Sequence, residues 1–249
     1  MRDDNDVPVV LLHGVGLDRN VWQRVERLLR SPSVALDLPG HGTRPPLQEP
    51  TSVTEMTADV AARMPSGPVH LVGFSLGSLI AQQIALDHLE RVRTLTCVSS
   101  VCARTEDESA AVATRLRNAR RDLPASMETA LQRWFPDDDG TDWQAQREET
   151  RPVLMANDPA SYAHAYAVFA TADRELADRL PAIAAPTLAM TGESDPGSTP
   201  EMSHRIAARV PDTEVVIVPG ARHMLPVTHP EVLVGHLDHL IHQSERNQP

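Results

Sequence analysis

Six short apolar runs punctuate the chain: Val7–Leu12, Val34–Leu38, Val69–Val72, Thr94–Val98, Thr187–Met190 and Glu214–Val218. They are rich in Val and Leu and mostly lack the in–out alternation of a strand with one wet face. That pattern predicts strands buried on both faces of a parallel sheet. Between them the spacing predicts helices over Asp18–Leu29, Val53–Met64, Leu76–Asp87, Pro200–Val210 and Pro230–His242. Strand and helix in alternation indicate an α/β sheet. The rhythm breaks from Ala103 to Ala185, where no strand pattern is convincing. Four Arg- and Glu-rich helical patterns fill that stretch: Glu106–Arg121, Ser126–Trp134, Gln144–Met155 and Asp158–Ala172. The chain therefore divides into a core of residues 1–102 and 186–249 and a helical cap of residues 103–185. The acidic cluster Asp137–Asp139 with Gly140 reads as a solvated turn, and Gln243–Pro249 as a fraying tail. No fixed-period repeat is visible.

Composition narrows the function classes. At 249 residues and 41% apolar, the chain has material for one core, filled mainly by aliphatic side chains because aromatics are 3%. The net charge is −11, and every basic residue is Arg. Such a chain repels a phosphate backbone, so nucleic acid is not an expected partner. No apolar run approaches the roughly 18 residues that a membrane span needs, so no membrane partner is expected. The acidic start, Met1-Arg2-Asp3-Asp4, is unlike a signal peptide. Two cysteines, Cys97 and Cys102, support neither a disulfide framework nor a four-ligand zinc site. The expected setting is the cytoplasm.

The sharpest chemical signal is Gly73-Phe74-Ser75-Leu76-Gly77, between a strand and a helix. A serine on so tight a turn exposes its Oγ, and only glycine fits two positions either side. The helix N-terminus directs its dipole at developing negative charge. A serine nucleophile needs a base, and the base an orienting acid. The strand Thr187–Met190 leads to Gly192-Glu193-Ser194-Asp195, which offers Asp195 as the acid with Glu193 as the alternative. The next strand leads to Gly220-Ala221-Arg222-His223, which offers His223 as the base. An oxyanion hole needs two backbone N–H groups. Leu76, next after the nucleophile, supplies one, and Val15, in the loop Leu12-His13-Gly14-Val15-Gly16, supplies the other. His13 is read as a structural brace of that loop rather than a second base. Asp37-Leu38-Pro39-Gly40-His41-Gly42 is a tight turn, since it matches no phosphate-loop pattern. No metal-ligand spacing occurs, so neither metal nor cofactor is expected.

These landmarks, in this order, resemble the α/β-hydrolase superfamily over nearly the whole chain. Within it, Pro68–Ser99, Arg133-Trp134-Phe135-Pro136 and Asn157-Asp158-Pro159-Ala160-Ser161-Tyr162 are most similar to the 3-oxoadipate enol-lactonase group. The resemblance implies hydrolysis of a small ester or lactone through an acyl-enzyme, without cofactor. It also implies an α/β-hydrolase fold with a mostly parallel sheet of about six strands, because the family's usual N-terminal strand pair finds no room before His13. Val34–Leu38 would then lie at or next to an exposed edge, which leaves a homodimer open to the chain. The cap would close over Ser75 and set substrate choice. Trp134 is its first pocket candidate among Trp134, Phe135, Tyr162, Tyr166 and Phe169. Arg133 is the first candidate to hold a substrate carboxylate, with Arg120 or Arg121 second. Two rival readings share the fold: a carbon–carbon bond hydrolase of meta-cleavage type, and a non-catalytic ligand-binding protein.

Overall fold

The computed structural model describes residues 7–136 and 143–246; the acidic cluster Asp137–Asp139 and the end of the tail lie outside the described residues. The elements run β1 (Val9–Leu12), α1 (Gln23–Leu28), β2 (Ser33–Leu36), α2 (Val53–Arg63), β3 (Val69–Phe74), α3 (Leu76–Asp87) and β4 (Val92–Val98). Then come α4 (Glu106–Arg121), α5 (Leu123–Trp134), α6 (Gln144–Met155) and α7 (Pro159–Ala177), and the sheet resumes with β5 (Thr187–Gly192), α8 (Pro200–Ala207), β6 (Thr213–Val218), α9 (Leu225–Thr228) and α10 (Pro230–Arg246).

All six strands form one parallel sheet in the order β2-β1-β3-β4-β5-β6. The strands β1, β3 and β5 are buried at every position, as expected where helices cover both faces. The outer strands β2 and β6 are only partly covered, and Val34 on β2 is exposed. Among the described residues no strand lies outside β2, so the edge expected from the sequence is present. The chain leaves β1 toward one side of the sheet and β3 toward the other. The crevice between their C-terminal ends is thus the switch point where open α/β sheets bind ligands.

Local chemistry sets the helix starts. Ser52 with Glu55, and Thr105 with Glu108, form capping boxes for α2 and α4. Asp122 caps α5 and Asp158 caps α7, each followed by proline in the first turn. The helices between β4 and β5 are tied to one another and to the core near the start of α4. Arg104, just before α4, pairs with Asp173 of α7 at 2.6 Å, with both side chains 1% exposed. The same guanidinium donates to the Phe169 carbonyl at 3.0 Å and lies 4.6 Å over the Phe169 ring. Arg205 of α8 holds Glu108 through two bonds of 2.7 and 2.8 Å. The one-turn helix α9 has no counterpart among the helices expected from the sequence, and the tail expected to fray is helical from Gln243 to Arg246 as the end of α10. The apolar stripe of Leu233, Val234, Leu237, Leu240 and Ile241 buries that helix along most of its length. Cys97 and Cys102 are free thiols in the core. Among the described residues no helix is long and apolar enough to cross a membrane.

Besides His223, three histidines are buried: His13 after β1, His41 in the turn after β2, and His70 on β3. Burial pushes His13 down to about 3, assisted by the like charge of His41. Burial pushes His41 and His70 down to about 4. All three are neutral in the folded chain at pH 7 but protonate near 6.5 when unfolded. As pH falls below 6.5 the unfolded chain takes up protons that the folded chain refuses, so stability present above 6.5 is lost on acidification. The loss expected between pH 7 and pH 5 is on the order of 1–2 kcal/mol per histidine. Denaturant midpoints measured at pH 7 and pH 5 check this, and a pH-independent midpoint would contradict it.

Candidate active site

Ser75 sits between β3 and α3 with φ 54° and ψ −113°, a conformation that costs a non-glycine residue on the order of 1–3 kcal/mol. It is over-determined by close approach on both sides. A Cβ on Gly73 would run into the Gly77 carbonyl and the Ser78 backbone. A Cβ on Gly77 would run into the Leu12 and His13 carbonyls, so the first turn of α3 lies directly against the end of β1. Leu76 opens α3, and its N–H has no acceptor one helical turn back.

Asp195 follows β5 and His223 follows β6, and the two meet: His223 Nδ1 lies 2.6 Å from Asp195 Oδ2. The other carboxylate oxygen accepts from the Gly197 N–H at 2.8 Å and the Ser198 N–H at 3.1 Å. An ionised carboxylate only accepts, so Nδ1 of His223 donates to it, and in the neutral imidazole Nε2 is then the acceptor. Glu193 is exposed and accepts from the Gly220 N–H at 2.8 Å, so it braces the loop before His223 instead of touching the imidazole. The His223 ring is flanked by Phe74 from the core, 5.0 Å between centroids. On another side it stacks on Trp134 from α5 at 5.6 Å and an interplanar angle of 21°.

The loop after β1 is a turn. The Leu17 N–H donates to the Gly14 carbonyl at 3.2 Å, and Gly16 has φ +77°, the left-handed value that a type II turn demands at its third position. His13 braces it. Its Nε2 accepts from the Leu38 N–H at 2.9 Å, so Nδ1 carries the proton and donates to the Gly14 carbonyl at 2.7 Å. With both ring nitrogens engaged, His13 is no second base. The Val15 N–H has no hydrogen-bond partner among the described residues.

Val15, Ser75, Asp195 and His223 line one cavity of about 360 Å³, whose remaining wall comes mainly from α4, α5 and α7. That size suits a small organic ligand. Arg133, Trp134, Tyr162, Tyr166 and Phe169 line it as well. Phe135 does not: it is fully buried and packs toward Trp143. Of the second-choice cations, Arg121 reaches the cavity and Arg120 does not. Arg133 makes no salt bridge among the described residues. Burial, and then the like charge of Arg115, pushes its guanidinium down. Arg115, which the sequence reading missed, lines the same wall and donates to the Tyr166 hydroxyl at 3.2 Å. Its spacing from Asn118, Ala119 and Asp122, which also line the cavity, marks one face of α4 and was the available signal. Among the described residues no His, Cys, Asp and Glu cluster could hold a metal ion.

A model of the alpha/beta hydrolase family matches residues 9–236. The chain belongs to this family. Among similar relatives of this hydrolase is an (E)-2-((N-methylformamido)methylene)succinate hydrolase of Acinetobacter baylyi, 31% identical over 90% of this chain and 86% of that protein. Another is a pimeloyl-[acyl-carrier protein] methyl ester esterase of Yersinia enterocolitica, 32% identical over 92% of this chain and 90% of that protein. Among solved structures, the enol-lactonase of Burkholderia xenovorans superposes with a TM-score of 0.87 at 22% identity, covering 97% of this chain and 94% of that one. That likeness is one of fold.

The contact between α3 and β1 makes Gly77→Ala a sensitive probe. The added methyl group meets backbone on both sides, with no side chain able to yield. A destabilisation on the order of 1–3 kcal/mol is expected from such overpacking. Thermal melting of the purified variant checks it, and an unchanged midpoint would mean that the two segments can part freely.

Proposed function

We propose that the chain is a serine hydrolase of small carboxylic esters or lactones, with a preference for substrates that carry a carboxylate. The observation that carries this reading is the Asp195–His223 pair lining, together with the strained Ser75, one cavity under the helices between β4 and β5. In the reaction so read, Ser75 Oγ attacks the ester carbonyl while His223 Nε2 takes its proton. Asp195 holds the tautomer and balances the imidazolium that forms. The N–H groups of Val15 and Leu76 receive the negative charge on the carbonyl oxygen. Collapse expels the alkoxide, protonated by His223, and water then repeats the sequence on the acyl-enzyme. A lactone follows the same course with its leaving group still tethered.

The anionic preference rests on Arg133. A half-buried guanidinium beside a second one, with no carboxylate paired to it, is costly in an unliganded pocket. A substrate carboxylate would supply the missing charge through a bidentate contact. The relatives lend support: one acts on a substituted succinate, a dicarboxylate, and another on a methyl ester. Trp134, stacked on His223, walls the same pocket.

Activity assays with an activated ester test the core of the reading. Ser75→Ala and His223→Ala should each lose about 10⁴–10⁶ in kcat, and covalent labelling by a fluorophosphonate should vanish in Ser75→Ala. Asp195→Asn should lose about 10⁴ while Glu193→Gln stays near the parent. Near-full turnover by Ser75→Ala would overturn the mechanism, and the reverse ranking of the two acids would reassign the acid.

Selectivity assays test the substrate class. Arg133→Ala should raise KM for an anionic ester by about 10-fold or more, the loss of one charge-assisted contact, and leave a neutral ester of equal size nearly unaffected. Equal effects on both substrates would remove the carboxylate from the proposal. Trp134→Ala should impair both esters, since its contact is with the imidazole of His223.

A further inference from the structure

We infer that Asn157, in the helical insertion, is a positioning residue for the oxyanion hole and acts through two backbone peptides. The inference rests on the reading of Val15 as an oxyanion donor. Asn157 lies between α6 and α7. Its Nδ2 is 2.8 Å from the Gly16 carbonyl, 3.0 Å from that of Leu154 and 3.1 Å from that of Val153. The Gly16 carbonyl belongs to the same peptide as the Leu17 N–H, which donates to the Gly14 carbonyl at 3.2 Å. The Gly14 carbonyl belongs in turn to the same peptide as the Val15 N–H, which is left without a partner among the described residues at the cavity wall.

In a trans peptide the C=O and N–H bonds point opposite ways. The three groups therefore form a head-to-tail series: Asn157 amide to the Gly16–Leu17 peptide, to the Gly14–Val15 peptide, to the oxyanion. Each bond polarises the next, by an estimated 10–30% per bond, roughly. Each also fixes the plane of the peptide beyond it. His13 adds a second donor to the Gly14 carbonyl from below. The insertion leaves the turn little freedom to slip, since a Cβ on Gly16 would lie 2.9 Å from Tyr162 Cε2 and 3.2 Å from Leu154 Cδ2.

The plainer role for Asn157 is to end α6, because its amide donates to the Val153 and Leu154 carbonyls of the last turn. The two roles differ in what they touch. A helix end affects stability; the series affects only binding of the negatively charged tetrahedral adduct. Ser161 provides the comparison. It fastens the same corner of the insertion to the other loop, accepting from the Leu47 N–H at 2.9 Å and donating to the Gly40 carbonyl at 3.2 Å, with no connection to Val15.

The experiment measures three variants, Asn157→Ala, Asn157→Asp and Ser161→Ala, against the parent. Asn157→Asp keeps the shape and loses the donor at pH 8. An alkylboronic acid serves as the adduct mimic, and the carboxylic acid of the same chain as the ground-state mimic. Both Asn157 variants should lose about 10-fold in kcat, short of the 10²–10³ for an absent donor, with KM nearly unchanged. Boronate affinity should fall in parallel while affinity for the carboxylic acid holds. Ser161→Ala should keep the parental ratio of the two affinities even if its melting midpoint drops. Parental ratios in both Asn157 variants, or an equal fall in Ser161→Ala, overturn the inference while the parent's labelling at Ser75 still stands. A parent that is not labelled at Ser75 overturns the serine-hydrolase reading, and this inference with it.

Discussion

The contact of Gly77 with the Leu12 and His13 carbonyls is the constraint on which the site depends. It presses the first turn of α3 against the end of β1, where the loop that carries Val15 begins, and a Cβ on Gly14 of that loop would lie 3.2 Å from Ser75 Cβ. The chain between β3 and α3 must then reverse within a single residue, and Ser75 takes up the left-handed conformation that results. The sheet order places this junction at the switch point, with Asp195 and His223 arriving from the next strands along. A residue in a sparsely populated conformation persists only where its surroundings leave no alternative. Here the surroundings are backbone, which cannot repack as side chains can.

Charge is distributed against the average. The chain carries −11 overall, yet Arg115, Arg121 and Arg133 converge on the cavity. The arginines at the stem of the insertion are spoken for: Arg104 by Asp173 and Arg205 by Glu108. Arg133 differs from them in having no such partner among the described residues. Net charge therefore says little about what this pocket attracts, because a guanidinium a few ångströms away outweighs acids across a screened surface.

Sequence alone carried the sheet, the tight turn at Ser75 and the placing of Asp195 and His223 past neighbouring strands, because each is written in local pattern: runs of Val and Leu, a glycine two residues either side of serine, an acid and a histidine just past strand ends. Strand limits moved by one or two residues, as with β3 running on to Phe74, since pairing is decided by the neighbouring strand and not by the run itself. Helix α9 is one turn long and has no period to detect. The contact of Asn157 with Gly16 spans 141 residues of chain and leaves no pattern at all. What the sequence did show there, Asn157-Asp158-Pro159, reads as an N-cap and first-turn proline, which it also is. Phe135 was indistinguishable from its neighbour Trp134 by type, and only the rotation of α5 sends one to the core and the other to His223.

Through Asn157, Ser161 and Tyr162 the insertion rests on both loops at the mouth of the crevice, so it is not an independent lid. Exchange of the whole segment between relatives, in a laboratory or over evolutionary time, would replace the pocket wall and this footing in one step. A graft chosen for its pocket would also have to bring an amide donor and an aromatic flank of the right reach. Divergence in substrate scope is therefore easier through the inner face of α4 and α5 than through the corner between α6 and α7.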